Sequence, residues 1–169
     1  MFTLCLADFV TETFGAATWD EIVTHAHVPN GVSPHLHIAM ADADDLDVLA
    51  LIDATRSVLG LTLQEAADSF GEYWSCIYAP EVAATVWRTF GSARECIERL
   101  DDLRPGLDAT VPSPFRYDWQ DERTLMVAYT SDRGLLDFYV GIVKGVGTAF
   151  DEPLRVRKLS SSGVEVVFA

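Results

Sequence analysis

The chain has 169 residues, of which 49% are apolar, and carries a formal charge of −14. That length predicts one domain, or one domain with two lobes, around a sizeable core. The charge argues against nucleic acid and anionic membrane surfaces as partners. Cys5, Cys76 and Cys96 are odd in number and far apart, which speaks against a disulfide framework or a zinc ribbon and suits a reducing compartment. The start of the chain has no basic region ahead of an apolar run, and no apolar stretch reaches membrane-spanning length. The expectation is a soluble cytoplasmic protein. Four Trp, five Tyr and nine Phe would suit a large core or a pocket for something flat and apolar.

Residues 2–14 place Phe2, Cys5, Leu6, Phe9, Val10 and Phe14 near helical spacing, and Gly15 ends the run. Thr18-Trp19-Asp20-Glu21 reads as a capping box opening a helix through about Ala26. Pro29, Asn30, Gly31 and Pro34 make a loop. A helix over 45–58 is predicted to bury Leu46, Leu49 and Ile52, with Gly60 as its stop. A second capping box, Thr62-Leu63-Gln64-Glu65, opens a helix carrying Ala66, Ala67, Phe70, Tyr73, Trp74 and Ile77 that ends before Pro80. A short helix over 82–89 follows. The third box, Ser92-Ala93-Arg94-Glu95, opens a helix to Arg104, where Pro105 stops it. The stretch 105–114 is the candidate seam between lobes.

Beyond it the period changes. Phe115–Trp119 and Thr124–Tyr129 read as strands joined by a polar turn, 135–150 returns to helical spacing, and Leu154–Leu159 and Val164–Phe168 read as two more strands. Short connections make the sheet antiparallel, so the fold class is α+β.

Two polar patterns stand out. In extended backbone Tyr129, Ser131 and Arg133 share one side, where two hydroxyls and a guanidinium suit a planar carboxylate. The plainer reading is a strand end entering a helix, with Ser131 or Asp132 as N-cap and Arg133 solvated. His25, His27, His35 and His37 form two His-x-His pairs, a possible zinc or nickel arrangement. Positions i and i+2 at a helix end share no face, and no cysteine is near, so these are read as solvated loop histidines and no metal is assigned.

The ordered set of blocks resembles the haem–nitric oxide/oxygen binding (H-NOX, or HNOB) family from end to end. It comprises Phe9-Val10, Phe14-Gly15, Trp19-Asp20-Glu21-Ile22, Val58-Leu59-Gly60-Leu61, Phe70-Gly71-Glu72-Tyr73-Trp74, Leu100-Asp101-Asp102-Leu103, Pro112-Ser113-Pro114-Phe115, and Tyr129-x-Ser131-x-Arg133 with the Phe138–Gly145 helix. The resemblance implies a single H-NOX-like domain over 1–169. An N-terminal helical distal lobe (1–60) would pack on a proximal lobe (61–169) with a four-stranded antiparallel sheet and one long inserted helix. It also implies haem b between the lobes, with Tyr129, Ser131 and Arg133 on the propionates and Pro114 or Pro112 pressing on the porphyrin. Cys5, Phe9, Trp74 and Phe138 would line the pocket, Phe138 standing where oxygen-binding members carry a distal tyrosine.

One position departs from the family. The histidine that ligates iron after the Leu-Asp-x-Leu element is replaced here by Arg104, a side chain with no free lone pair that stays protonated at any working pH. The expectation is therefore a sensor or regulatory domain that does not bind haem in the usual way. Its pocket is either collapsed or holds an apolar carboxylate. Signalling would run in trans to a histidine kinase or a diguanylate cyclase or phosphodiesterase. The alternative is a haem-binding nitric oxide sensor with atypical or weak proximal ligation. No Ser/His/Asp order, HExxH, phosphate loop or carboxylate pair supports an enzyme.

Overall fold

The computed structural model describes residues 2–26, 45–103, 113–130 and 135–169. Contacts divide the chain into two compact units, Met1–Ala66 and Ala67–Ala169.

The first unit is helical. Helix α1 (Phe2–Phe14) stops at Gly15, whose φ of 96° suits a residue without a Cβ. Gly15 is also the N-cap of α2 (Ala16–His25), which therefore starts ahead of the Thr18 box. The Thr18 hydroxyl is diverted backwards to the Phe14 carbonyl at 3.0 Å and caps nothing. Helix α3 (Asp45–Leu59) buries Leu51, Ile52, Ala54 and Thr55, while Leu49 is 40% exposed. The buried stripe thus runs through Leu51 and Ile52 rather than through Leu49. Gly60, at φ 65°, ends α3, and the Leu61 amide closes the last turn on the Arg56 carbonyl. The Thr62 box forms as expected. Glu65 accepts from the Thr62 amide and hydroxyl, at 2.9 and 2.7 Å, and these bonds hold its carboxyl below the usual range.

Helix α4 (Leu63–Tyr73) leads into the second unit. It passes without a break into a π-helical turn at Trp74–Tyr78 and then into α5 (Ala79–Val82). Pro80 does not stop the helix as expected: the chain stays helical through the π turn and carries Pro80 in the first turn of α5. The wider π turn leaves Ile77 43% exposed and keeps Trp74 buried. Helix α6 (Ala84–Trp87) and helix α7 (Ala93–Glu98) follow. Ser92 caps α7 by accepting from the Glu95 amide. The Glu95 carboxylate reaches one residue further back than a capping box requires, to the Gly91 amide. Arg99 breaks the α-helical path, and Leu100–Leu103 form a 3₁₀ turn where a continuous helix was expected.

The sheet contains β1 (Phe115–Trp119), β2 (Thr124–Tyr129), β3 (Leu154–Ser160) and β4 (Gly163–Phe168), all antiparallel, in the order β1-β2-β4-β3. Period-two alternation sorts its faces. Leu125, Val127, Val164 and Val166 are fully buried, and Arg116, Asp118, Arg155 and Arg157 are exposed. Helix α8 (Leu136–Ala149) packs on β3 and, on another side, against the π turn. Gly71, Gly141 and Gly145 make the second contact possible. A Cβ on Gly141 would fall on the Ala67 carbonyl, and one on Gly145 would meet the Gly71 backbone and the Ser75 hydroxyl. The Ser75 hydroxyl donates to the Ile142 carbonyl at 3.1 Å across the same seam.

Candidate functional site

The end of β2 and the start of β1 place the described part of the polar motif. Phe115 and Tyr129 are register partners. The Tyr129 amide donates to the Ser162 carbonyl at 2.8 Å. The Thr130 amide and hydroxyl both donate to the Pro114 carbonyl, at 2.8 and 3.0 Å. Pro114 and Tyr129 are therefore held at the same end of the sheet, each by backbone bonds that leave its side chain uncommitted to that role. Ser131 and Arg133 lie outside the described residues, as do Arg104, Pro112, His27, His35 and His37.

Behind Tyr129 runs a ladder of rings. Tyr129 is tilted against Phe115 at 5.2 Å between centroids, and Phe115 stacks on Tyr139 at 4.2 Å and 25°. Tyr117 lies two residues along β1 on the same face. Burial first, then Tyr117 and the charge of Asp101, push the Tyr139 pKa well up. The phenol stays protonated. Sequence reasoning placed Tyr139 away from Phe138 but missed this ladder. Its signal was the alternation of Phe115, Tyr117 and Trp119, which puts three rings on one face of one strand.

The pocket-lining candidates divide between the two units. Phe138 is buried edge-on to Phe70 at 5.4 Å, and Trp74 lies edge-on to Trp87 at 6.3 Å. Both belong to the second unit. Cys5 and Phe9 are buried residues of α1 in the first unit, where Phe9 meets Phe14 edge-on at 5.9 Å.

Among the described residues the buried thiols are poor donors to an iron atom. Burial, reinforced by Asp8, pushes the Cys5 thiol far above its ordinary value, and burial pushes the Cys96 thiol up to about 12. Neither is the thiolate that metals bind. His25 closes α2 on an exposed turn. Tyr139 is a protonated phenol, whereas iron takes the phenolate. Among the described residues no group of three His, Cys, Asp or Glu side chains is set to hold a metal. Tyr129 and Pro114 stand at one end of the sheet, and position 104 lies outside the described residues.

The family model described as Haem-NO-binding matches residues 1–158. The chain belongs to that family. Solved structures of H-NOX proteins share its fold at low sequence identity. An H-NOX protein from S. oneidensis in the Fe(II)NO ligation state aligns with TM-score 0.78 and 13% identity, over 99% of this chain and 97% of that one. An Fe(II) unliganded H-NOX protein from K. algicida aligns with TM-score 0.69 and 17% identity, over 99% and 92%. An oxygen-binding H-NOX domain related to soluble guanylate cyclases aligns with TM-score 0.72 and 15% identity, over 97% and 91%. A comparison with curated protein sequences finds no match. No helix among the described residues of this H-NOX family member is long and apolar enough to cross a membrane.

Proposed function

We propose that this H-NOX family member is a regulatory domain that works without haem iron and signals in trans to a partner protein, a histidine kinase or a diguanylate cyclase or phosphodiesterase. The observation that carries this reading is the chemistry of the donors. Arg104 stands where the family places its axial histidine, and a guanidinium has no lone pair to give. The buried thiols of Cys5 and Cys96 are held protonated. Tyr129, Ser131 and Arg133 keep the carboxylate grip, so an apolar carboxylate would be held as a propionate is held, by a bidentate fork and two hydroxyls. Binding such a ligand, or filling the pocket with the chain's own aromatics, would replace the iron–histidine bond as the element that sets the signalling state. Localisation in the cytoplasm follows from the class of partner. In this reading the domain acts through what it binds.

The intact Tyr129-x-Ser131-x-Arg133 motif favours a second reading, a nitric oxide sensor that holds haem weakly through its propionates.

Haem titration separates the two. The native chain is expected to give no sharp Soret band at stoichiometric hemin, and Arg104→His to gain one. A stoichiometric band in the native chain that shifts with nitric oxide would establish the second reading and overturn the first. Native mass spectrometry of the extracted protein is expected to reveal a copurifying acid that is lost in Arg133→Ala. If nothing copurifies, the ligand-holding form of the proposal fails and the filled-pocket form stands.

A further inference from the structure

The segment from the π turn to α6 carries little charge for this chain. Charged residues make up 22% of the sequence, yet from Tyr73 to Trp87 the only one is Glu81. Two of its apolar side chains are on the surface: Ile77, and Val82, which at 55% is the most exposed large apolar residue among those described. A lone exposed apolar residue needs no account, but two within about a turn and a half of one helical path do.

Helices α5 and α6 form that path together. Ala83 between them has φ −115° and ψ 32°. The hydrogen bonds run on regardless, from the Ala83 amide to the Ala79 carbonyl and from the Trp87 amide to the Ala83 carbonyl, at 3.0 and 2.9 Å. Trp87 anchors the inner side against Trp74, Phe90 and Phe150. Thr85, about 200° round the helix from Trp87, faces outward and is exposed. Glu81 and Arg88 share its side at helical spacing and are exposed as well. Neither has an ion pair among the described residues. Val82 lies beside Glu81 on this stripe.

The order of the charges decides what fits. Glu81 and Arg88 are opposite in sign and equally far in sequence from the midpoint between Ala84 and Thr85. A copy of the stripe laid antiparallel across that midpoint sets Glu81 on the partner's Arg88 and Arg88 on the partner's Glu81. The pattern is self-complementary, as a two-fold contact demands. Ala84 and Thr85 are small at the crossing, and Val82 of each copy lies along the other's α6. An unrelated partner requires no such symmetry. Elsewhere a charge of −14 keeps copies apart, which confines association to a face whose own charges cancel.

We propose that this stripe is a two-fold interface between copies of this chain, with Glu81–Arg88 pairs flanking Val82 and the small residues at the crossing. A contact this narrow falls below the roughly 1,200 Å² of stable complexes, and a Kd of about 10–100 µM is expected. The interface stands apart from the haem question and needs no particular occupant of the Tyr129 site.

Sedimentation equilibrium of the full chain tests it. The native chain is expected to pass from monomer to dimer in that concentration range and to go no further. E81R and R88E each set like charges opposite one another and are expected to weaken the dimer about tenfold or more. E81R/R88E exchanges the two signs and is expected to restore it to within about threefold of the native value. Bulk charge cannot mimic this result, since E81R makes the chain less acidic, R88E makes it more acidic, and the double variant leaves the net charge unchanged. All three positions of the test are on the surface, and circular dichroism checks that the variants fold. A native chain that stays monomeric into the millimolar range would overturn the proposal. So would single variants that dimerise like the native chain, or a double variant no better than the singles. Growth past the dimer would also overturn it, because an open head-to-tail contact does not close. A second readout needs no substitution. The amide resonances of Val82, Thr85 and Arg88 are expected to shift with protein concentration, and shifts confined to other residues would refute the interface.

Discussion

Gly71 and Gly141 meet backbone to backbone, with the Cβ position of Gly71 falling on the carbonyl group of Gly141. Neither side of that contact has a flexible side chain that could move aside. Gly141→Ala or Gly71→Ala must push α8 away from α4, which opens the Ser75–Ile142 bond as well. A cost of about 3 kcal/mol is expected for either, at the upper end for overpacking. Urea unfolding of the two variants checks it, and a loss under 1 kcal/mol would show that the helices slide apart freely.

Phe115 sits between two aromatic neighbours, and Phe115→Ala removes both contacts at once. Loss of about 2–3 kcal/mol is expected, since the residue is half-buried and ring pairs add to plain burial. Phe115→Leu is expected to recover about half of it. Thermal unfolding of the pair separates stacking from simple volume.

The buried thiols give the stability curve an alkaline edge. Cys96 titrates near 9.0 when unfolded and near 12 when folded, so below pH 9 both states are protonated and the stability from this group is fully present. Above pH 9 the unfolded chain releases a proton that the folded chain keeps, and stability falls as pH rises toward 12. The slope is about 1.4 kcal/mol per pH unit for each such thiol. Cys5 acts in the same direction. Denaturation midpoints from pH 8 to 10.5 are expected to drop in the native chain and to flatten in a Cys5→Ala/Cys96→Ala variant.

Thiol labelling follows from the same burial. Cys76 is exposed, and Cys5 and Cys96 are buried. One equivalent of a maleimide is expected to react with the folded chain and three with the denatured one. Fast reaction at Cys5 would show that α1 opens readily.

Ser92 accepts the Glu95 amide bond at the start of α7. Ser92→Ala is expected to cost about 1 kcal/mol, and Ser92→Asp close to nothing.

Where the chain's local chemistry matched its tertiary setting, its structure was legible in advance. The four strands lie within one residue of their expected bounds, because Phe115–Trp119 and Leu154–Arg157 alternate apolar and polar, and the apolar runs of β2 and β4 are bounded by turn residues. The Thr62 box formed because the Glu65 carboxylate reaches back to both the Thr62 amide and its hydroxyl. The Thr18 box did not, since Gly15 could start a helix earlier and left the threonine hydroxyl inside it. Leu49 misled because helical spacing admits two adjacent stripes, and burial chose the one through Leu51 and Ile52. At the end of β2, the strand that carries Tyr129 was legible from its apolar run. The Phe115–Tyr139 stack was not, because it joins a strand to a helix and depends on a long-range packing choice that no local spacing encodes.

The π turn at Trp74–Tyr78 has a bearing on how this chain can be compared with its relatives. A single extra residue is wound into the helix there, which turns every later side chain by about 100° relative to an uninterrupted α-helix. A role assigned from a straight helix to a position past Tyr73 would land one residue away from the side chain that occupies the equivalent direction. Ile77 on the outside shows the size of that slip. Deleting one residue within 74–78 would wind the segment back and carry Ile77 inward, at the expense of Tyr78 and the ring contacts of Trp74.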